Sequence, residues 1–163
     1  MPTLNRSAAE MWGAFLTARR EVIMEPGAAA VSAWAFGMGP ELETELAELV
    51  LAGKKRATAS SLQATLMDGE PIPQIGTYSV ILDGTAVARC VIRTTQLTVT
   101  PLNQVTADFA AREGEGDGSL AYWMEAHRRF FRAEHEALGI PFSETIPVIC
   151  EDFEMVWPDA ACR

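Results

Sequence analysis

Residues 49–60 read Leu49-Val50-Leu51-Ala52-Gly53-Lys54-Lys55-Arg56-Ala57-Thr58-Ala59-Ser60, a stretch in which a predicted helix passes into a predicted strand. Gly53 suits the left-handed position that ends a helix, and three cations follow it directly. Thr58 and Ser60 then share one side of the strand, because alternate strand residues face the same way. Cations beside hydroxyls suit the binding of an anionic or carbonyl-bearing ligand. The alternative is that the cations complement the helix dipole and remain in water.

The overall charge limits the kind of nucleic acid that this chain binds. It has 22 acidic and 13 basic residues, which gives a net charge of -9. Tight binding of duplex DNA is not expected, because it depends on many phosphate contacts. A small nucleotide or a short single strand at one local basic site remains compatible with the acidity.

Length and cysteine usage narrow the class of protein. The 163 residues predict one domain with its own core. No apolar run approaches the roughly 20 residues that cross a bilayer, and the N-terminus lacks a signal pattern, so no membrane partner is expected. Cys90, Cys150 and Cys162 are odd in number and far apart, which indicates neither a disulfide framework nor a zinc site. We therefore expect a cytoplasmic protein.

The residue pattern favours an α+β fold with a compact, partly closed sheet. Helices and strands alternate irregularly, and Asp83-Gly84 predicts an antiparallel hairpin. A capping box, Ser7-Ala8-Ala9-Glu10, should begin the first helix, which should end near Glu25. Apart from the extended segment at Thr58, the chain up to Gly76 is expected to be a long, partly irregular loop. Further elements are expected over 30–36 (extended), 40–52 (helix), 77–82 and 85–100 (strands), 103–112 and 120–138 (helices), and 146–157 (strand).

Two other features have both a functional and a structural interpretation. Trp34 and Phe36 alternate in an extended segment, so they form either a base-stacking platform or part of the core. Glu115 and Asp117 lie in a glycine-rich turn and offer oxygen ligands to a divalent cation. Alternatively, that turn only caps the following helix through Asp117 or Ser119.

Glu113 and His127 are the candidate acid–base groups. Glu113 ends a predicted helix with an apolar inner face. Partial desolvation there would raise the pKa of its carboxyl and let it act as an acid or base near neutral pH. The alternative is a simple surface charge. His127 lies on the apolar stripe of the helix over 120–138, so we expect a hydrogen-bonded core histidine rather than a ligand or catalyst.

Several motifs, in the same order along the chain, closely resemble those of the ASCH domain family. They are Gly53-Lys54-Lys55-Arg56-Ala57-Thr58, Ile72-Pro73-Gln74-Ile75-Gly76, the run from Glu113 to Trp123, His127 with Phe130-Phe131, and Cys150-Glu151-Asp152-Phe153. The resemblance spans about residues 31 to 157. It implies a PUA-like fold, a small mixed or antiparallel β-barrel flanked by helices, and a role connected with RNA or modified nucleosides. We expect an N-terminal helix over 1–28 packed on an ASCH domain over 29–157, followed by a loose tail over 158–163.

The resemblance implies two activities. One is cleavage of single-stranded RNA assisted by a divalent cation, Mg²⁺ or Mn²⁺, in members of about this length. The other is hydrolysis of the amide of N4-acetylcytidine, in shorter members that use a Lys, a Thr three residues on and a distant Glu. Those catalytic residues carry over onto Lys55, Thr58 and Glu113. The chain departs from the shorter members at Arg56, where they have a small residue, and in the additional acidic turn.

The residue chemistry is compatible with both activities. For the amide, a lysine made neutral by neighbouring cations would activate Thr58, and Glu113 would protonate the leaving group. For RNA, Lys55 and Arg56 would stabilise charge on the phosphate. Glu113, or a metal ion held by Glu115 and Asp117, would then activate the nucleophile.

The remaining candidates would bind the substrate. Trp34 or Tyr78 would stack a base, while the polar contacts would come from Lys54, Arg56, Ser60 and Ser119. The first hypothesis is a ribonuclease acting on single-stranded RNA, and the second is an amidohydrolase acting on a modified nucleoside. The third is a non-catalytic module that recognises RNA or a modified base.

Overall fold

A computed structural model describes residues 4–159, which form one sheet with helices on both of its faces. The helices are α1 (Arg6–Ala18), α2 (Pro40–Leu51), α3 (Leu62–Met67), α4 (Ala107–Glu113) and α5 (Leu120–Leu138). The strands are β1 (Ser32–Trp34), β2 (Ala57–Ser61), β3 (Tyr78–Leu82), β4 (Ala88–Pro101) and β5 (Pro147–Trp157). Short 3-10 helices cover Arg20–Met24, Pro26–Ala30 and Leu102–Gln104.

The sheet is mixed and curled. Its strand order is β1-β3-β4-β5-β2, with β1 parallel to β3 and every other neighbouring pair antiparallel. The long β4–β5 pair shifts register between Val91 and Ile92 and again between Thr94 and Gln96. Such bulges bend a strand and increase its twist, so the sheet closes into a half-barrel. The predicted α+β class is therefore confirmed.

The two faces of the sheet bury different sets of side chains. The face covered by α2, called the α2 face below, has its own buried cluster of Phe36, Leu46, Ala47, Val50, Ile81, Cys90, Ile92 and Phe153. The opposite face packs against α1 at one end and against α4 and α5 at the other. Because strand residues alternate between faces, this division determines which polar side chains lie together.

The first helix differs from its prediction at both ends. It begins at Arg6 and is capped by Asn5, whose Oδ1 accepts from the Ala8 N–H at 2.8 Å. The predicted capping box is wrong, because the Ser7 hydroxyl instead accepts from the backbone N–H of Ala88 on β4 at 2.9 Å. The α-helix ends at Ala18, and two 3-10 helices continue the chain beyond it.

The expected loop up to Gly76 contains more regular structure than its sequence indicates. The extended segment is β2, which pairs with β5, but helix α3 follows it directly. Ser61 caps this helix by accepting from the Ala64 N–H at 3.3 Å, and its hydroxyl also lies 2.7 Å from His135 Nε2. A six-residue helix is marginal alone, so this tertiary anchoring explains why the local pattern did not predict it.

Most later elements agree with their predictions. α5 spans 120–138 as expected, and β5 begins one residue later than expected. The helix predicted over 103–112 is divided, because a 3-10 turn precedes α4 and Thr106 caps α4 separately. In the described part of the chain, none of the helices combines the length and apolarity required to span a membrane. Cys162 and most of the predicted tail lie outside the described residues.

Candidate functional site

Lys55 is the one member of the cation cluster that points into the protein. Its backbone N–H donates to the Leu49 carbonyl at 3.0 Å and closes the turn after α2. The Lys55 side chain is only 1% exposed, whereas Lys54 and Arg56 are exposed. Its Nζ lies 4.9 Å from the centre of the Phe36 ring, on the α2 face. The cluster therefore divides into one buried cation and two solvated ones.

Glu113, the last residue of α4, is held against the same chain segment. Gly114 follows it at a φ of 68°, and a Cβ there would lie 2.3 Å from the Lys54 carbonyl oxygen. Only glycine tolerates both that conformation and that approach. The Arg56 N–H also donates to the Arg112 carbonyl at 2.8 Å. These backbone contacts bring the end of α4 to the start of β2.

Two carboxylates surround the Lys55 amine. Its Nζ lies 2.6 Å from Glu115 Oε1 and 3.7 Å from Glu113 Oε1. The expected surroundings of Lys55 were other cations, whereas its nearest charged neighbours are carboxylates.

Two residues of α5 hold the other oxygen of Glu113. Trp123 Nε1–H donates to Oε2, and His127 Nε2 lies 3.1 Å from the same oxygen. The two rings stack with centres 3.9 Å apart, as residues four apart on one helix face can do. His127 Nδ1–H donates to the Trp123 carbonyl at 2.9 Å.

These contacts lower the pKa of Glu113. Burial acts to raise it, but the Lys55 ammonium and the hydrogen bonds from His127 and Trp123 favour the ionised form more strongly. The expected rise in pKa is therefore wrong, because the buried carboxyl is surrounded by donors. Two carboxylates, Glu113 and Glu115, thus share the Lys55 amine, and Glu113 has two further donors on α5.

Thr58 and Ser60 share one side of β2, as the alternation predicted. That side belongs to the α2 face. Their β2 neighbours Ala57 and Ala59 pack against α4 and α5, which directs the two hydroxyl side chains to the opposite side. Thr58 pairs with Glu151 of β5. The structure thus brings Lys55 and Glu113 into contact, with Thr58 three residues after Lys55 on the adjoining strand.

The two aromatic candidates lie in different clusters. Trp34 is half-buried on the α2 face, with its ring centre 4.6 Å from that of Phe36. Tyr78 is buried on the opposite face against Trp12, and its hydroxyl donates to Glu25 at 2.8 Å. Burial and that hydrogen bond raise the pKa of Tyr78 to about 12. Stacking of a base on Tyr78 is therefore not compatible with its position.

The acidic turn acts mainly as a structural element. Ser119 caps α5 by accepting from the Tyr122 N–H at 3.1 Å. Asp117 accepts from the Ser119 N–H at 2.8 Å, and its hydrogen bonds with Ser119 lower its pKa. Glu115 turns the other way, towards Lys55. The two predicted metal ligands do not converge, and residues 4–159 contain no group of three potential ligands.

Four further polar or aromatic residues around the site had no catalytic or binding role in the predictions. They are Trp123 and His127 on α5, and Thr94 and Glu151 in the sheet. The spacing of four between Trp123 and His127 was a usable signal, because it places both on one helix face. Glu151 was detectable as a charged residue between Ile149 and Phe153, the apolar residues that share its side of the predicted strand.

Comparison with known proteins agrees with this fold. The ASCH domain family matches residues 32–157. An ASCH domain from Lactobacillus crispatus JV V101 is 34% identical, with a TM-score of 0.87 over 94% of this chain and 96% of that one. A protein from Enterococcus faecalis V583 is also 34% identical, with a TM-score of 0.81 over 93% of this chain and 88% of that one. No curated protein matches the chain. The chain belongs to the ASCH domain family and has its PUA-like fold.

Proposed function

We propose that the protein hydrolyses the acyl amide of a modified nucleoside, such as N4-acetylcytidine, at a site formed by Lys55, Thr58 and Glu113. The main support is the charge balance around Lys55, whose ammonium lies within 3.7 Å of two carboxylates. A phosphodiester brings a full negative charge into the site before any reaction, where Glu113 and Glu115 already lie beside Lys55, so it requires further cations. An uncharged amide makes no such demand.

The ionisation of the site suggests a role for each residue. The Thr58 hydroxyl attacks the acyl carbonyl carbon, and the Glu113 carboxylate accepts its proton. The Lys55 ammonium stabilises the negative charge that develops on the carbonyl oxygen. The C–N bond then breaks and the amine leaves with one added proton. Water next hydrolyses the acyl-threonine ester, which releases the carboxylic acid and restores the Thr58 hydroxyl. Compared with the sequence-based hypothesis, Glu113 accepts a proton instead of donating one.

Cleavage of single-stranded RNA remains the second candidate. It is favoured by Lys54 and Arg56, which flank the buried lysine and are exposed to solvent. Exposed cations of this kind can contact a phosphate backbone. The family's link with RNA supports the same class of partner. Glu115 and Asp117 give no support to a metal-assisted version, because they have separate partners.

The test is incubation with N4-acetylcytidine and with a short labelled RNA strand, each with and without EDTA. We expect cytidine and acetate to form in both conditions. Thr58→Val should reduce that turnover by more than about 1,000-fold, as loss of a nucleophile does. Thr98→Val, which changes an exposed threonine of β4, is the matched control and should leave turnover unchanged. RNA cleavage lost in EDTA would favour the ribonuclease instead, and binding without turnover would indicate a recognition module.

A further inference from the structure

Glu151 is a buried carboxyl beside Thr58 that has no role in the reaction proposed so far. It lies on β5 directly opposite Thr58 of β2, so the two Cβ atoms are about 4.5–5.5 Å apart. Both side chains belong to the α2 face, since Phe153, two residues after Glu151, is buried there. Glu151 is 7% exposed. A shielded carboxyl thus adjoins the proposed nucleophile.

Glu151 has a neutral hydrogen-bond partner and no cation. Thr94 Oγ1 donates to its Oε1 at 2.5 Å. Within residues 4–159, no lysine, arginine or histidine forms an ion pair with it. The cations of the surrounding segments have other partners: Lys55 lies beside Glu113 and Glu115, Arg93 beside Glu25, and Arg112 beside Asp152. Arg56 and the acidic Glu154 are exposed.

The two buried carboxyls of the proposed site, Glu113 and Glu151, therefore have opposite electrostatic surroundings. Burial raises the pKa of Glu151, and the hydrogen bond from Thr94 offsets this only in part. The pKa of Glu113 is lowered by its cationic neighbours, as described above. Environments that separate the pKa values of two nearby carboxyls are how enzymes obtain one acid and one base from the same residue type.

We propose that Glu151 is the general acid of the reaction and donates its carboxyl proton to the amine that leaves when the acyl amide is cleaved. This inference rests on the proposed hydrolysis and supplies the proton donor that it requires. A hydrogen-bonded neutral carboxyl next to the nucleophile has the proton that an amine leaving group needs.

The proton balance closes over the two half-reactions. In the first, the Thr58 oxygen bonds to the acyl carbon, its proton passes to Glu113, and the C–N bond breaks as Glu151 protonates the nitrogen. In the second, water attacks the ester, gives one proton to the Glu151 carboxylate, and displaces Thr58, which recovers its proton from Glu113. The net reaction converts amide and water into amine and carboxylic acid.

The first test compares Glu151→Gln with the parent protein on N4-acetylcytidine. We expect kcat to fall by about 100-fold or more, with a smaller change in KM, because general acids contribute about 10²–10⁴-fold. A group that must be protonated stops working as pH rises through its pKa. The parent kcat should therefore decline on the alkaline side, and this decline should disappear in Glu151→Gln. Glu154→Gln, an exposed neighbour on β5, is the matched control.

The second test moves the pKa of Glu151 without touching its carboxyl. The Thr94 hydroxyl favours the ionised form, so Thr94→Val should raise the pKa and move the alkaline decline to higher pH. A third test uses 4-nitrophenyl acetate, whose leaving group needs no proton. Glu151→Gln should retain most of the first-turnover burst of 4-nitrophenolate, because acylation by this ester needs no acid, whereas Thr58→Val should lose the burst.

The outcomes separate this inference from the proposed function. If the parent protein hydrolyses the amide and Glu151→Gln keeps its full rate and alkaline decline, Glu151 is not the acid and the proposed function stands. If Glu151→Gln loses amide turnover and the 4-nitrophenolate burst to the same extent, Glu151 is a structural residue. Absence of amide hydrolysis by the parent protein would overturn both proposals together.

Discussion

Two clusters of charged and aromatic side chains lie in different parts of the molecule and differ in their access to water. Where the end of α4 meets the start of β2, Lys55 and Glu113 are both 1% exposed. On the face of the sheet opposite α2, Arg93 lies 5.7 Å from the centre of the Tyr78 ring and 3.4 Å from Glu25. The side chains of Arg93 and Glu25 are 38% and 37% exposed, respectively. Both clusters place a cation over an aromatic ring and beside a carboxylate, so burial is the main difference between them.

This difference predicts how strongly each cluster affects stability and chemistry. A buried pair stabilises the fold only while all of its partners are present, because the loss of one leaves an unpaired charge away from water. A partly exposed pair is screened, and water replaces a lost partner. The buried cluster can therefore hold a carboxylate in a defined ionisation state, whereas water screens the charges of the exposed cluster.

The largest effect is expected from Lys55→Ala. It leaves Glu113 and Glu115 without their ammonium, so the free energy of unfolding should fall by about 3–5 kcal/mol. Amide hydrolysis should also be lost. Chemical denaturation followed by circular dichroism measures the first effect. A fall of less than about 1 kcal/mol would show that water reaches the Lys55 cluster and that the two clusters do not differ in burial as described.

A smaller, pH-dependent effect is expected from Glu113→Gln. The folded-state pKa of Glu113 lies below its ordinary value of 4.5. The stability that this carboxylate contributes is therefore fully present above that value and lost as pH falls through the lowered folded-state pKa. Unfolding free energies of both proteins, measured from pH 3 to pH 7, should converge towards the acidic end. A constant difference across this range would contradict the lowered pKa.

The smallest effect is expected from Arg93→Ala on the opposite face. Because this ion pair is more than one-third exposed, its loss should change the free energy of unfolding by at most about 1 kcal/mol. Hydrolysis of the amide should remain at the parent level. The same denaturation measurement, repeated at high salt, provides the comparison with Lys55→Ala. A loss as large as that of Lys55→Ala would remove burial as the explanation for the difference.

Elements with strong periodic patterns were predictable from the sequence. The apolar stripe of α5 and the turn at Asp83-Gly84 each depend on residues that are close in the chain. α3 was not predictable, because its six residues depend on a cap that His135 also anchors. The cap of α1 was mistaken for the same reason, since β4 uses the Ser7 hydroxyl.

The candidate site was predictable in membership but not in chemistry. Lys55 and Glu113 were selected together through the family resemblance, and they are in contact. The pKa shift of Glu113 was predicted in the wrong direction, because Lys55 and the hydrogen bonds from His127 and Trp123 outweigh its burial. Tyr78 was selected from its residue type alone, and its packing against α1 removes it from the site.

The amino-acid sequence by itself determined where the long helices and strands form and which residues alternate on one face of a strand, since these depend on local spacing. Only the tertiary structure decided that Lys55, and neither of its cationic neighbours, is buried between carboxylates. It also decided that the pKa of Glu113 is lowered while that of Glu151 is raised. Protonation follows from desolvation and from charges within a few ångströms, and here those neighbours come from segments far apart in the chain.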